Sequence, residues 1–91
     1  MSIKVNIPSQ LQKFTGSHAT LEIDGTTVEE LLNNLDDSCP ELRTRLRNPA
    51  GQVHRFVNLY VNQEDIRFLE GTSTPLKSGD EVSIIPAVAG G

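Results

Sequence analysis

The sequence predicts a single α+β domain, a mixed β-sheet packed on one main helix and followed by a short tail of small residues. Three observations predict it. Branched aliphatic residues alternate with polar ones near the N-terminus, in the middle and close to the end; residues 27–35 carry the period of an amphipathic helix; and after Pro86 the side chains shrink to Ala87-Val88-Ala89-Gly90-Gly91. Residues 1–86 read as the folded unit and 87–91 as a flexible tail. Ninety-one residues with 36% hydrophobic content suffice for one small domain with a modest core.

Ile3, Val5 and Ile7 alternate with Lys4 and Asn6, which is the period of a strand with one buried face, and Pro8 ends it. A polar connection from Ser9 to Ser17 comes next, in which Leu11 and Phe14 tuck under the domain edge. Ala19, Leu21 and Ile23 alternate with Thr20, Glu22 and Asp24, giving a second strand that turns at Asp24-Gly25. These two strands are expected to form an antiparallel pair. Thr27-Val28-Glu29-Glu30 matches a capping box, and Val28, Leu31, Leu32 and Leu35 fall on one helical stripe. Asp36-Asp37 oppose the helix dipole and Pro40 forbids continuation, so the helix stops between them. Leu42 and Leu46 suggest a second short helical turn. Around it Arg43, Arg45 and Arg47 read as a solvated face rather than an anion site, because no glycine-rich loop accompanies them.

Beyond the loop Asn48-Pro49-Ala50-Gly51, Phe56–Val61 reads as a strand with Val57, Leu59 and Val61 on one face and Phe56, Asn58 and Tyr60 on the other. Asn62-Gln63-Glu64-Asp65 is expected to turn into a short strand, Ile66-Arg67-Phe68. Glu64 and Asp65 are assigned no acid–base role, since adjacent residues on a turn point apart. Val82-Ser83-Ile84-Ile85 is a strand expected to be buried, with β-branched residues on both faces. Strand, strand, helix, strand, short strand, strand, with the last strand entering beside the first, describes a β-grasp domain of the ubiquitin type.

The composition excludes several classes of function. A net charge of −4 argues against nucleic acid, which requires a basic surface. One cysteine, Cys39, allows no internal disulfide and reads as a packed thiol rather than a nucleophile. His18 and His54 have no second ligand at metal spacing, so no metal site is expected. No apolar run reaches membrane-spanning length and no secretory leader is visible, which implies no membrane association and a cytoplasmic protein. No nucleophile and base stand in a catalytic constellation, so the chain is expected to be a substrate for other enzymes rather than an enzyme.

The tail is the exception. Extended, its five residues reach roughly 17 Å, and glycine at the tip passes a channel that larger residues would block. A terminal carboxylate is an anion at neutral pH and must be activated before its carbonyl can react. Two glycines alone are a weak signal, since glycine is common.

Together, His54-Arg55-Phe56-Val57-Asn58-Leu59-Tyr60-Val61-Asn62, Glu64-Asp65-Ile66-Arg67-Phe68 and Ile85-Pro86-Ala87-Val88-Ala89-Gly90-Gly91 resemble the ubiquitin-like sulfur carrier proteins. That group contains the small subunit of molybdopterin synthase and the thiamine-pathway carrier, and the segments are most similar to the CysO branch of cysteine biosynthesis. The resemblance implies that an E1-like adenylating enzyme uses ATP and magnesium to convert the Gly91 carboxylate to an acyl adenylate and then to a thiocarboxylate. It further implies sulfur transfer to a cysteine synthase carrying pyridoxal phosphate, with release of cysteine by a JAMM-type zinc peptidase. All of these cofactors would belong to partners, and none to this chain. Gly91 would carry the reacting carbonyl, with Gly90, Ala89 and Val88 forming the slim entry. Phe56, Tyr60 and Ile85 stand either as an apolar docking patch or as isolated surface hydrophobes. Sulfur delivery to molybdopterin or another thio-metabolite, and conjugation to lysines as a protein modifier, remain the competing functions.

Overall fold

A computed structural model describes residues 2–54 and 57–86. Strands β1 (Ser2–Asn6), β2 (Thr20–Asp24), β3 (Val57–Val61), β4 (Glu64–Asp65) and β5 (Glu81–Pro86) form one sheet in the order β2-β1-β5-β3-β4. The pairs β1–β2, β3–β5 and β3–β4 are antiparallel, whereas β1 and β5 run parallel. The last strand thus lies between β1 and β3, beside the first as the crossover rule requires. Helices α1 (Val28–Ser38) and α2 (Pro40–Leu46) complete the regular elements with three 3-10 turns.

The helix start is set by the capping residues. The Glu30 N–H donates to Thr27 Oγ1 at 3.1 Å, and the Glu30 carboxylate accepts from the Thr26 N–H at 2.8 Å, one residue earlier than a regular capping box. Val28, Leu31, Leu32 and Leu35 are all buried and meet Ile3, Val5, Leu59, Val82 and Ile84 from the sheet in one core. Gly25 is needed where the chain passes under α1, because a Cβ there would lie 2.9 Å from Leu31 Cα and N. Leu42 and Leu46 of α2 close the core, with Leu11 from the 3-10 turn Ser9–Phe14 and Phe14 packed against it.

Three expectations need correction. Only one face of β5 is buried: Val82 and Ile84 point inward, whereas Ile85 is 48% exposed on the open face. Ile66–Phe68 is a 3-10 turn rather than a strand, and the short strand is Glu64–Asp65. With three residues per turn, Ile66 and Leu69 both face the core, which leaves Arg67 and Phe68 outside. The polar connection after β1 tucks Leu11 and Phe14 under the domain edge as expected, through the 3-10 turn Ser9–Phe14. The arginines, finally, do not form one solvated face. Arg43 and Arg45 are exposed, but Arg47 is buried with a side chain only 7% exposed. Its guanidinium contacts Asp36 at 3.3 Å and donates through Nη1 to Glu29 and to the Gly51 carbonyl, both at 3.3 Å. Asp36, in the last turn of α1, is therefore one half of a buried ion pair.

Candidate functional site

The face of the sheet turned away from the helices carries Lys4 and Asn6 of β1, Glu81, Ser83 and Ile85 of β5, and Asn58 and Tyr60 of β3. Register fixes their neighbours: Asn6 lies beside Ser83, Ser83 opposite Tyr60, and Ile85 opposite Asn58. Ile85 and half-buried Tyr60 are consequently diagonal neighbours on adjacent strands, a separation of roughly 7–8 Å. The structure brings these two predicted residues together. The third, Phe56, lies outside the described residues, as do Val88, Ala89, Gly90 and Gly91.

A polar ladder borders the pair. Asn6 Nδ2 donates to Glu81 Oε2 at 2.7 Å and to Ser83 Oγ at 3.0 Å, while Lys4 Nζ stands 3.6 Å from the same Glu81 carboxylate. Donation from Asn6, helped by the Lys4 charge, holds the Glu81 carboxyl below its ordinary value. At the far end of β5, Pro86 is paired in register with Val57, so strand pairing reaches the last residue before the tail. A groove of about 410 Å³ adjoins that point, lined by Asn6, Pro8 and Gln10 on one side and by Ser83, Ile85 and Pro86 on the other. The geometry suits recognition: a face with an apolar pair, Tyr60 and Ile85, bordered by charged and polar side chains, and a groove at the end of β5.

No described side chain in this region is poised for chemistry. Burial pushes the Cys39 thiol up, away from the reactive thiolate, and His54 Nε2 lies 3.2 Å from the Thr44 carbonyl. Among the described residues no group of three or more His, Cys, Asp or Glu is placed to hold a metal, and no helix is long and apolar enough to cross a membrane. One arrangement escaped the sequence reading. Asp65 accepts the Arg67 backbone N–H at 2.8 Å and clasps its guanidinium through Nε and Nη2, at 3.1 and 2.7 Å. The side-chain hydrogen bonds from Arg67 hold the Asp65 carboxyl well down. Aspartate favours turns by accepting the N–H two residues on, and the arginine at that position, Asp65-Ile66-Arg67, is the signal that pointed to it.

This element order and helix-covered mixed sheet define the ubiquitin-type β-grasp. The chain belongs to the ThiS family, whose model matches residues 5–91. Among individual proteins, it is 41% identical to the sulfur carrier protein CysO of Mycobacterium tuberculosis over 93 aligned positions, covering all of both chains. A chain in the crystal structure of the Amycolatopsis orientalis BexX/CysO complex superposes with a TM-score of 0.89 at 39% identity, covering 98% of this chain and 99% of that one. Small archaeal modifier protein 1 of Methanosarcina acetivorans gives a TM-score of 0.89 at 30% identity, over 99% and 96% of the two chains.

Proposed function

We propose that this chain is a sulfur carrier, a co-substrate rather than a catalyst, whose Gly91 carboxylate is activated and loaded by a partner. The single observation that supports this most strongly is the full-length likeness to CysO sulfur carriers. In the proposed cycle a Gly91 carboxylate oxygen attacks the α-phosphorus of ATP on an E1-like enzyme and expels pyrophosphate. Sulfide then displaces AMP from the acyl carbon and leaves a terminal thiocarboxylate, the sulfur source for a cysteine synthase. The chemistry of adenylation is positioning and charge neutralisation, which the partner and its magnesium supply. This chain contributes recognition through Tyr60 and Ile85 and a narrow acyl end.

The test is the intact mass of the protein after incubation with a matched adenylating enzyme, ATP and sulfide. We expect replacement of one oxygen by one sulfur, confined to the C-terminal peptide and abolished by deletion of Gly91. Ile85→Asp and Tyr60→Asp should slow adenylation with the melting curve kept. Loading of a chain lacking Gly91 would overturn the tail chemistry, and unchanged kinetics in both charged variants would overturn the docking role.

A second reading, conjugation through Gly91 to lysines of other proteins, is favoured by the likeness to archaeal proteins named as modifiers, including 38% identity to small archaeal modifier protein 3 of Haloferax volcanii over 75% of this chain and 73% of that one. Gly-Gly remnants on lysines of digested cell protein would support it; their absence, with thiocarboxylate present, favours the carrier.

A further inference from the structure

The largest apolar side chain exposed among the described residues is not on the open face of the sheet. Phe68 is 80% exposed, at the end of the 3-10 turn that comes after β4. This exposure is built in. Ile66 and Leu69 anchor the turn inward and the Asp65–Arg67 clasp fixes its start. Buried Thr74 fixes the chain just beyond the turn, accepting the Glu70 N–H at 3.1 Å and donating to the Gly71 carbonyl at 2.7 Å. A phenylalanine whose backbone is ordered before binding leaves only its side-chain rotamers to be lost, which favours its use as an anchor.

Phe68 borders a groove of about 570 Å³ whose apolar wall is completed by Val61, Leu69 and Pro75. The rim is acidic. Glu64 and Glu70 are exposed on it against one cation, Lys77, and the buried carboxylate of Asp80 lies beneath. Asp80 is a fixed charge, accepting the Lys77 N–H at 2.9 Å and Asn62 Nδ2 at 3.1 Å, and Glu64 and Glu70 have no side-chain partner among the described residues. The nearby Arg67 is already neutralised by Asp65. The groove also lies at the other end of the sheet from the tail: Val61 pairs with Val82 at the start of β5, and Pro86 lies four strand residues, roughly 13 Å, further on.

We infer that the Phe68 groove is a second docking surface, which receives a segment of a partner protein consisting of an apolar anchor flanked by Lys or Arg. Charge complementarity selects that occupant. A second copy of this chain would bring two acidic rims together, and an acidic segment would meet the same repulsion. Placement at the start of β5 separates the groove from the root of the tail, so the groove can stay occupied while the tail is engaged by an adenylating or sulfur-accepting enzyme. The domain could then be held by one protein and processed by another.

The experiment titrates the 15N-labelled full chain with a blocked peptide having an Ile-Leu-Phe core between paired arginines, and with a twin in which glutamates replace the arginines. The arginine peptide should shift the amides of Glu64, Phe68, Leu69 and Glu70 and leave those of Asn58 and Ile85 unmoved, with affinity falling as salt rises. Phe68→Ser should weaken it at least about tenfold, since burial of a large apolar side chain is worth more than one decade of affinity. The double variant Glu64→Gln/Glu70→Gln, which leaves the scaffold intact, should weaken binding and flatten its salt dependence. Equal binding of the glutamate twin, indifference to Phe68→Ser, or self-association of the free chain through the same amides would each overturn the inference. The sulfur-loading assay should proceed normally with Phe68→Ser, so failure here is separable from failure of the carrier reading.

Discussion

Replacing Arg47 by methionine, Arg47→Met, tests whether the buried guanidinium holds the two helices to the loop before β3. Its side chain is 7% exposed and that of Asp36 is 10% exposed, whereas Glu29 is 49% exposed and can turn to water when its partner is lost. Asp36 cannot. Burial already pushes its carboxyl above the ordinary value, and the Arg47 charge is the main influence opposing that rise. Removing one member of a buried pair costs about 3–5 kcal/mol, because the other charge is left uncompensated. For a chain of this length the unfolding entropy is about 0.2 kcal/mol/K, so the melting temperature should fall by roughly 15–25 °C. Asp36→Leu added to Arg47→Met should recover most of the loss, since an apolar pair of similar volume is often no worse than a buried ion pair. The pH dependence has a definite sign. A folded-state acid whose value is raised binds more protons than the unfolded chain, so stability rises as pH falls from the raised value toward the unfolded one. The deficit of Arg47→Met should therefore narrow as pH falls from neutrality toward the unfolded aspartate value of about 3.9. Urea denaturation of the parent, both single variants and the double variant gives the coupling energy directly. A loss below about 1 kcal/mol that does not change with pH would return Arg47 to the solvated arginine expected from sequence.

Two further outcomes concern a close contact and a set of carboxylates. Gly25→Ala should destabilise the domain by about 1–3 kcal/mol through overpacking against the α1 backbone, more than the roughly 0.4–1 kcal/mol that a stiffer unfolded chain returns; a raised melting temperature would refute the close approach. Asp65, Asp80 and Glu81 are all held below their ordinary values, by Arg67, by the Lys77 N–H with Asn62, and by Asn6 respectively. Their stabilisation is full above the unfolded value near pH 4 and is lost as pH falls through the lower folded values. The difference in denaturation midpoint between the parent and Asp80→Asn should shrink on acidification, and parallel curves would contradict it.

The elements legible in the sequence are those whose signal lies within one window. Ile3-Val5-Ile7 and Leu59-Val61 show period two, and Val28-Leu31-Leu32-Leu35 shows the helical period; all of these side chains are buried. The features that sequence missed depend on partners distant along the chain. Arg47 reads as solvated because its carboxylates are on α1, and only the packing of α2 against α1 brings them together. Ile66-Arg67-Phe68 reads as a strand because alternation and a 3-10 turn differ over three residues only in which neighbour shares the buried face. Here Leu69, not Phe68, shares it with Ile66. Of the candidate site, the open-face position of Tyr60 was legible from strand period, whereas that of Ile85 emerged only with the structure, since β5 read as buried with β-branched residues on both faces. The acidic groove beside Phe68 was not legible, since it draws residues from β3, β4, one 3-10 turn, the segment after it and the approach to β5.

The position of β5 bears on how such a domain would present a reactive end. A tail grown from an edge strand would share that strand's fraying, and a pull by an enzyme on the tail would peel the edge from the sheet. Here the strand that leads to Ala87 has β1 on one side and β3 on the other, with pairing that extends to Pro86. Val82 and Ile84 lock it beneath α1, at 1% and 2% exposure. Tension on the tail must therefore break ladders on both sides together with core packing, so the root stays fixed while the residues beyond it are handled. The same placement puts Ile85 on the open face one residue before the root, where the proposed docking of an enzyme on Ile85 and Tyr60 would supply a fixed origin from which to measure the reach of the five remaining residues.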